Sequence, residues 1–287
     1  MNQERPTLAE VHGGMELAGK VAIVTGASRG VGAATAVALA AAGCTVACAA
    51  RATEASPQPT PGTLDETVRR ITEAGGTCVA VPTNLAVDAE VEQMVATAIA
   101  EFGRVDILVN NAAITFPGDL ELPLKRHDLV FAVNLRAPLL AIQAVVPGMR
   151  ERGSGSILNV SSVAALNYFP GLMAYGASKI ALEHLTVSLA AQLRDDGISV
   201  NTFRIDIPVA SEGFIANAPD IDHSDWEPSE VAAEGIVWML RRPASYTGHN
   251  DGMAALREEH GIMPTRVGRE HRQTSGILTV NPMRLPS

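Results

Sequence analysis

The segment YGASK places a tyrosine and a lysine, Tyr175 and Lys179, four residues apart in an alanine-rich stretch of the chain. In a helix this spacing puts both side chains on one face. A lysine ammonium beside a phenol favours the phenolate and lowers the pKa of the tyrosine. We therefore expect Tyr175 to pass a proton to or from a substrate oxygen as a general acid/base.

Two further polar residues stand at positions that could complete such a site. Ser162 ends the strand-like run SILNVSS, and its spacing to Tyr175 favours it over its neighbour Ser161. Asn134 lies in the segment FAVNL, where its alternative role is an amide bonded to helix backbone. Tyr168 has no lysine four residues later and is expected to be a wall of the substrate pocket.

A glycine-rich segment follows the first apolar run, VAIVT, and opens a predicted helix. Gly26, Gly30 and Gly32 have the spacing G-x-x-x-G-x-G. Glycine permits a tight turn and the close approach of a pyrophosphate, and the helix N-terminus offers free N–H groups to it. The segment therefore predicts a dinucleotide cofactor, with Ser28, Arg29 and Val31 beside the three glycines.

The end of the second predicted strand favours NADP(H) over NAD(H). An acidic residue there would bind the ribose 2′-hydroxyl, but this strand ends in Ala49-Ala50-Arg51. Arg51 and Arg29 together suit a 2′-phosphate, although both arginines could instead face solvent. Asn84, after the third strand, stands where we expect a contact with the adenine.

Alternating apolar runs and alanine-rich helical patterns continue along the chain from residue 21 to residue 251. This order predicts an α/β fold, a single-domain, doubly wound parallel sheet (a Rossmann fold) with helices on both faces. We assign the domain to residues 15–252, with an irregular proline-rich loop at 52–62. Residues 1–14 are expected to be mobile, and 253–287 to form a C-terminal extension.

The motifs TGASRGVG (25–32), NNAA (110–113) and Tyr175-x-x-x-Lys179, with Asn134 and Ser162, resemble those of the short-chain dehydrogenase/reductase family. The resemblance covers about residues 17–251 and is looser toward the hydroxysteroid dehydrogenase-like subgroup. It implies that Tyr175 is the general acid/base, that Ser162 polarises the substrate oxygen, that Lys179 holds the nicotinamide ribose and that Asn134 orders a water. The further cofactor contacts that it implies are Leu85, Asn111, Ala112, Ala113, Val209 and Ser211.

The sequence departs from that family's pattern at three points. Ile205-Asp206 stands where the family has Pro-Gly, and Asn84 replaces an aspartate. NNAA replaces NNAG, so Ala113 is expected to adopt a conformation that glycine adopts more easily.

The substrate side is expected to be apolar. Candidate wall residues are Ala164, Tyr168, Phe169, Met173 and Phe214, and a lid is predicted at about 208–228. Some of these residues could instead only pack against a neighbouring helix. The predicted activity interconverts a neutral or apolar ketone or aldehyde with its alcohol. The alternatives are an NAD-dependent secondary alcohol dehydrogenase and a catalytically idle, cofactor-binding regulatory or scaffold protein.

The composition of the 287 residues limits the partners. The net charge of −9 argues against nucleic-acid binding, and we expect neither a membrane span nor a metal site. Three cysteines in apolar runs favour the reducing cytoplasm. The resemblance implies a homotetramer or homodimer through the helices near 125–151 and 173–195. Apolar residues of the extension could then cross to a partner: Ile262, Met263, Ile277, Leu278, Val280 and Met283.

Overall fold

The computed structural model describes residues 15–217 and 220–267. The predicted mobile segment 1–14 and the end of the extension, 268–287, lie outside the described residues. The strands are β1 (Val21–Thr25), β2 (Thr45–Ala50), β3 (Thr77–Pro82), β4 (Ile107–Asn110), β5 (Gly155–Ser162), β6 (Ile198–Ile205), β7 (Val209–Ala210), β8 (Glu227–Pro228) and β9 (Asn250–Gly252).

Seven of these strands form one parallel sheet in the order β3-β2-β1-β4-β5-β6-β9. The short strands β7 and β8 pair with each other in a second, two-stranded sheet. The central order 3-2-1-4-5-6 is that of the doubly wound dinucleotide-binding fold, so the predicted fold class is confirmed.

Nine α-helices lie in the described part of the chain, and they cover both faces of the sheet. They are α1 (Gly30–Ala41), α2 (Leu64–Glu73), α3 (Asp88–Phe102), α4 (Leu124–Phe131), α5 (Ala137–Arg152), α6 (Met173–Leu193), α7 (Glu212–Asn217), α8 (Ser229–Leu240) and α9 (Met253–His260). A π-helical turn, Ala132–Arg136, joins α4 to α5 without a break.

The core is split by the sheet into two layers. In β1, Ala22 and Val24 pack with α1, α2 and α8, whereas Ile23 packs with α3 and α5 on the other face. All five residues of β1 are buried, as expected of a central strand in a parallel sheet. Alternate residues of a strand point to opposite faces, so each strand supplies both layers.

One helical segment is long and apolar enough to cross a membrane, by length and composition only. The helix Leu124–Arg152 has a sufficiently apolar window, half of which is buried inside the fold. Its buried residues, including Ala141, Val145 and Met149, belong to the core layer shared with α3. Packing against the sheet therefore accounts for the apolar character of this helix.

The first part of the C-terminal extension packs on its own subunit. Ile262 and Met263, which we expected to reach a partner, are buried in the same core layer as α8. The side chain of Met263 lies over Gly235 of α8, where no Cβ stands in its way. The other apolar residues named for the extension, Ile277, Leu278, Val280 and Met283, lie outside the described residues.

Candidate active site

The predicted site residues follow the carboxyl ends of adjacent parallel strands. The chain leaves β1 toward one face of the sheet and β4 toward the other, and these two strands are neighbours. A crevice opens at such a reversal of strand order, and ligands of open α/β sheets bind there. The glycine-rich segment follows β1, and Ser162 ends the next strand but one, β5.

The glycine-rich segment has no room for a side chain at its three glycines. Gly26 and Gly30 adopt φ of +70° and +54°, which L-residues with side chains adopt rarely. A Cβ on Gly26 would lie 2.8 Å from Nδ2 of Asn111, and one on Gly32 would collide with the carbonyl oxygen of Gly26. Main chain is therefore exposed at the start of α1, which fits a ligand with a phosphate group.

Thr25 holds this segment against the end of β4, a role that the sequence analysis did not assign. Its hydroxyl accepts hydrogen bonds from the N–H groups of Asn111 (3.0 Å) and Ala112 (3.1 Å). The side-chain amide of Asn111 donates to the carbonyl oxygen of Thr25 at 2.9 Å. Thr25 is the first residue of the motif TGASRGVG, and this position in the motif could have indicated its role.

Tyr175, Ser162 and Lys179 lie together, as their spacing predicts. Tyr175 forms a hydrogen bond with the side chain of Ser162, whose oxygen also accepts from the N–H of Ala164 at 3.2 Å. The Lys179 ammonium lies 5.6 Å from the centroid of the Tyr175 ring. Ser161 is buried and its hydroxyl has no hydrogen-bond partner within the described residues, so the geometry favours Ser162 over it.

The protonation of this cluster differs from the expectation. Burial raises the pKa of Tyr175, and its hydrogen bond with Ser162 opposes that change. The direction of this change is opposite to the lowering of the Tyr175 pKa that we expected from Lys179. Burial also lowers the pKa of Lys179 to about 8, against the opposing effect of Glu183, so the lysine charge is itself disfavoured there.

A buried polar network fixes α6 against the sheet. The side chain of Asn159 on β5 accepts from the amide of Asn110 and donates to the hydroxyl of Thr186, both at 2.9 Å. The Thr202 hydroxyl on β6 donates to the Thr186 hydroxyl at 2.9 Å. Buried polar groups of this kind specify one packing arrangement, and here they position the helix that carries Tyr175.

Asn134 is fully buried in the π-helical turn between α4 and α5. Its amide oxygen accepts from the N–H of Ile114 at 2.8 Å. Its amide nitrogen donates to the Ile114 carbonyl (2.9 Å) and to the hydroxyl of Ser178 (3.0 Å). Both donors are used, so the side chain could offer a water only its second acceptor lone pair.

Arg29 and Arg51 lie near each other beside the glycine-rich segment. Burial and the charge of Arg51 lower the pKa of Arg29, whereas the nearby carboxylate of Glu212 raises it. A terminal nitrogen of Arg29 donates to the carbonyl oxygen of Gly62 at 3.1 Å. Arg29 thereby fixes the end of the proline-rich loop, which the sequence did not indicate.

The remaining predicted cofactor residues differ in their surroundings. Ser28 and Val31 are buried, and Leu85 and Ala112 lie beside Thr25 at the β1–β4 crevice. Ser211 lies against Gly30, and Val209 is buried in β7. The side chain of Asn84 accepts from the N–H of Ala86 at 3.2 Å, so it is engaged at the start of α3.

Ala113 does not need the conformation that we expected of it. Within the described residues, Met263 is the one non-glycine residue with a positive φ. The backbone of Ala113 is therefore ordinary, and alanine replaces glycine there without strain.

Three of the predicted substrate-side residues stand at the surface, and we call the surface that they form the rim. Tyr168, Met173 and Phe214 are 50%, 44% and 48% exposed. The carbonyl of Ala164 lies beneath Gly176, next to Tyr175, and Phe169 lies in the same loop. Phe214 packs edge-to-face on Trp226, with the ring centroids 5.5 Å apart.

Asp119 joins two loops of this rim and was missed by the sequence analysis. Its carboxylate accepts from the Tyr168 hydroxyl (3.1 Å) and from the N–H groups of Gly171 (2.9 Å) and Met173 (3.3 Å). These bonds, led by that from Gly171, hold the pKa of Asp119 below its usual range. Nothing in the sequence GDLEL marks this aspartate.

Comparison with protein families and curated proteins gives consistent similarities. The family model described as short chain dehydrogenase matches residues 20–207. The chain is 38% identical over 202 residues to the 3-oxoacyl-(acyl-carrier-protein) reductase of Synechocystis sp., covering 70% of this chain and 76% of that protein. It is 39% identical over 238 residues to an uncharacterized NAD-dependent oxidoreductase of Mycobacterium tuberculosis, covering 78% of this chain and 86% of that one. It is 31% identical over 252 residues to hydroxysteroid dehydrogenase-like protein 2 of Mus musculus, covering 86% of this chain but only 51% of that protein.

Solved structures agree with this fold. A metagenomic short-chain oxidoreductase in complex with NADP has a TM-score of 0.69 and 29% identity, covering 83% of this chain and 98% of that one. A short chain dehydrogenase from Mycobacterium paratuberculosis bound to NAD has a TM-score of 0.70 and 27% identity, covering 83% of this chain and 97% of that one.

Proposed function

Because the chain belongs to the short chain dehydrogenase family, it is an oxidoreductase that acts on CH–OH or C=O groups with NAD(P), and we propose that it prefers NADP(H) and interconverts a neutral or apolar ketone or aldehyde with its alcohol. The observation that carries the chemical part of the proposal is the hydrogen bond of Tyr175 with Ser162, with the buried Lys179 ammonium 5.6 Å from the centroid of the Tyr175 ring.

In this proposal Tyr175 holds the proton that the substrate oxygen gains or loses. The nicotinamide, when bound, supplies or accepts the hydride at the substrate carbon. Ser162 donates a hydrogen bond to the same substrate oxygen and so fixes it beside the phenol. Because burial raises the pKa of Tyr175, the phenol is protonated and ready to act as an acid in the direction of carbonyl reduction.

Lys179 and Asn134 act behind Tyr175 in the proposal. Lys179 is placed to hold the ribose of the nicotinamide, and its charge favours loss of the Tyr175 proton when the direction is oxidation. Asn134 positions the loop after β4 and α6 through Ile114 and Ser178. We assign it this positioning role because its amide donors are already used.

The preference for NADP(H) depends on Arg29 and Arg51. Their mutual repulsion is part of the reason why the pKa of Arg29 is lowered, and a phosphate dianion between them would relieve it. No acidic side chain ends β2, so nothing there would repel such a phosphate. The opposing observation is Glu212, whose charge partly compensates Arg29 and favours the alternative, an NAD-dependent alcohol dehydrogenase.

A neutral or apolar substrate fits the rim of the site. The exposed apolar surfaces of Tyr168, Met173 and Phe214 would be covered by such a ligand. Asp220, Asp222 and Asp225 make the segment before Trp226 acidic and disfavour an anionic ligand.

Association of copies and cellular location are further parts of the proposal. Exposed apolar residues of α6, Ile180 and Val187, lie on the face that a second copy would cover in a homodimer or homotetramer. The cysteines of the chain are free in the structure, which is consistent with the reducing cytoplasm. Mass in solution, by light scattering, tests the association.

The first experiment needs no substrate. Purified protein is titrated with NADPH and with NADH while the nicotinamide fluorescence is followed. Tighter binding of NADPH supports the proposed preference, tighter binding of NADH supports the alternative, and binding of neither contradicts the proposed function.

The second experiment tests Tyr175 with a panel of ketones and the cofactor that binds. Tyr175→Phe should bind the cofactor normally and lose turnover by about 10³-fold, within the range for general acid–base groups. Tyr168→Phe is the matched control and should keep most of the turnover. A Tyr175→Phe protein with undiminished turnover would remove Tyr175 from its role.

A further inference from the structure

The loop at 208–228 has its two ends tied together at the base. Val209 pairs with Glu227 in the small β7–β8 sheet, and the N–H of Glu227 donates to the carbonyl oxygen of Pro208 at 2.9 Å. Just after β7, Ser211 lies against Gly30 of the glycine-rich segment. The position of these two ends therefore decides what stands next to the proposed phosphate site.

One end of the loop is held by a buried carboxylate. Glu227 is 2% exposed, and a buried charge of this kind is unfavourable unless it is paired. Its oxygens accept from the guanidinium of Arg257 at 3.0 Å and from the backbone N–H of Arg266 at 2.9 Å. Both partners belong to the C-terminal extension.

The chain before the other end is held by the same extension. Asp206 accepts from the N–H of Ala254 at 3.0 Å, in the first turn of α9. A Cβ on Gly252 would collide with the Asp206 carboxylate, so this close approach depends on glycine. The aspartate that replaces the family's Pro-Gly thus connects β6 to the extension.

The extension is itself anchored in the fold. Ile262 and Met263 are buried against α8, and the Arg266 side chain pairs with Glu234 of that helix. Because the extension is anchored and contacts the chain on both sides of the loop, it can hold both ends of the loop in place.

We infer that residues 253–267 brace the loop at 208–228 through Asp206 and Glu227, and that these two carboxylates are positioning residues for cofactor and substrate binding. The second half of this inference depends on the proposed function. The first half concerns only the protein without ligand and can be tested alone.

Trp226 reports on the brace directly, because it adjoins Glu227 and contacts Phe214 and His223. The chain has two tryptophans, so a Trp238→Phe parent leaves Trp226 as the single emitter. Acrylamide quenching of Trp226 is compared between this parent and Glu227→Gln. We expect quenching to increase in Glu227→Gln, since the loop end loses its ion pair with Arg257.

Arg266→Ala is the matched control. It removes an exposed ion pair with Glu234, which contributes little to the anchoring, but keeps the burial of Ile262 and Met263 and the backbone N–H that Glu227 accepts from. Quenching in this variant should remain that of the parent. If Glu227→Gln does not fold, Arg257→Gln removes the same pair from the half-buried side, and Arg257→Lys should restore part of the effect.

The binding consequence is measured in the same variants with tryptophans intact. Glu227→Gln should raise the cofactor Kd and the substrate KM by about tenfold, as a displaced binding group does, while kcat at saturation changes little. Unchanged quenching in a folded Glu227→Gln protein overturns the brace. Increased quenching with unchanged Kd and KM overturns the positioning role alone. If the wild-type protein binds neither NADPH nor NADH, the proposed function fails, and the quenching result still decides the brace.

Discussion

The Lys179 ammonium donates a 2.7 Å hydrogen bond to the carbonyl oxygen of Val160, two residues before Ser162 on β5. The lysine is thus held between the strand that carries one proposed catalytic residue and the helix that carries the other. Holding it there is unfavourable for its charge, since burial lowers the pKa of Lys179 to about 8.

The stability of the protein without ligand should therefore depend on pH through Lys179. Its folded pKa is about 8, below the ordinary lysine value of 10.5, so between these values the unfolded chain binds a proton that the folded chain has lost. Stability then rises with pH across this window, by about 1.4 kcal/mol per pH unit for one proton. Below about pH 8 both the folded and the unfolded chain hold the Lys179 proton, so this increase in stability is absent. Urea unfolding of the wild type and Lys179→Met from pH 7 to pH 10 measures the difference.

The control for this measurement is Lys125→Met, which removes an exposed lysine of α4. Its stability relative to the wild type should stay flat across the same pH range. A flat difference for Lys179→Met as well would show that Lys179 keeps its charge at no cost.

The residues around the chemistry could be predicted because their motifs are local. Tyr175 and Lys179 share one helix face by spacing alone, and Gly26, Gly30 and Gly32 are required by a close main-chain approach within one turn. The doubly wound parallel sheet was predicted from the alternation of strands and helices. The pKa direction of Tyr175 could not be predicted, because it depends on burial by residues distant in sequence.

Residues that act between distant segments gave no sequence signal. Asp119 meets Tyr168 across a separation of 49 residues, and Glu227 meets Arg266 across 39. The departure at Asp206 was visible, but its reason was not, since its partner Ala254 lies in a helix of the extension. Such pairings depend on tertiary packing, which neither periodicity nor a local motif encodes.

Asp119 should affect substrate binding without affecting cofactor binding. Asp119→Asn weakens the acceptor for the Tyr168 hydroxyl and for two backbone N–H groups, so the rim loop shifts and the substrate KM rises by about tenfold. Tyr168→Phe removes only one of these bonds and should have a smaller effect. Steady-state kinetics and cofactor titration separate the two constants.

Glu121→Gln serves as the control for Asp119, since it removes an exposed acid from the same loop. Its KM should match that of the wild type. Equal effects of Asp119→Asn on KM and on cofactor Kd would contradict a role confined to the substrate rim.

Gly252 should not tolerate a methyl group. Gly252→Ala places a Cβ against the Asp206 carboxylate, so either α9 loses its cap or the strand end moves. We expect a loss of at least about 1 kcal/mol in the free energy of unfolding, as for other lost helix caps. Gly213→Ala is the matched control, since a Cβ there meets nothing within 4 Å, and it should be neutral or slightly stabilising. Equal stability of both variants in urea would show that the contact of Gly252 with Asp206 is dispensable.

Arg51 should discriminate between the two cofactors. Arg51→Ala removes an exposed guanidinium beside Arg29, so the Kd for NADPH should rise by about tenfold, the loss of one charge-assisted hydrogen bond, while that for NADH is unchanged. Arg29→Ala should weaken both cofactors, because it also releases the Gly62 carbonyl and the loop end beside the glycine-rich segment. Arg70→Ala is the control, because Arg70 lines a cleft of about 320 Å³ together with Arg29 but lies on α2, 4.0 Å from Glu230. If Arg51→Ala weakens the binding of NADPH and NADH equally, another residue sets the cofactor preference. If it weakens the binding of neither, the result favours the NAD-dependent alternative.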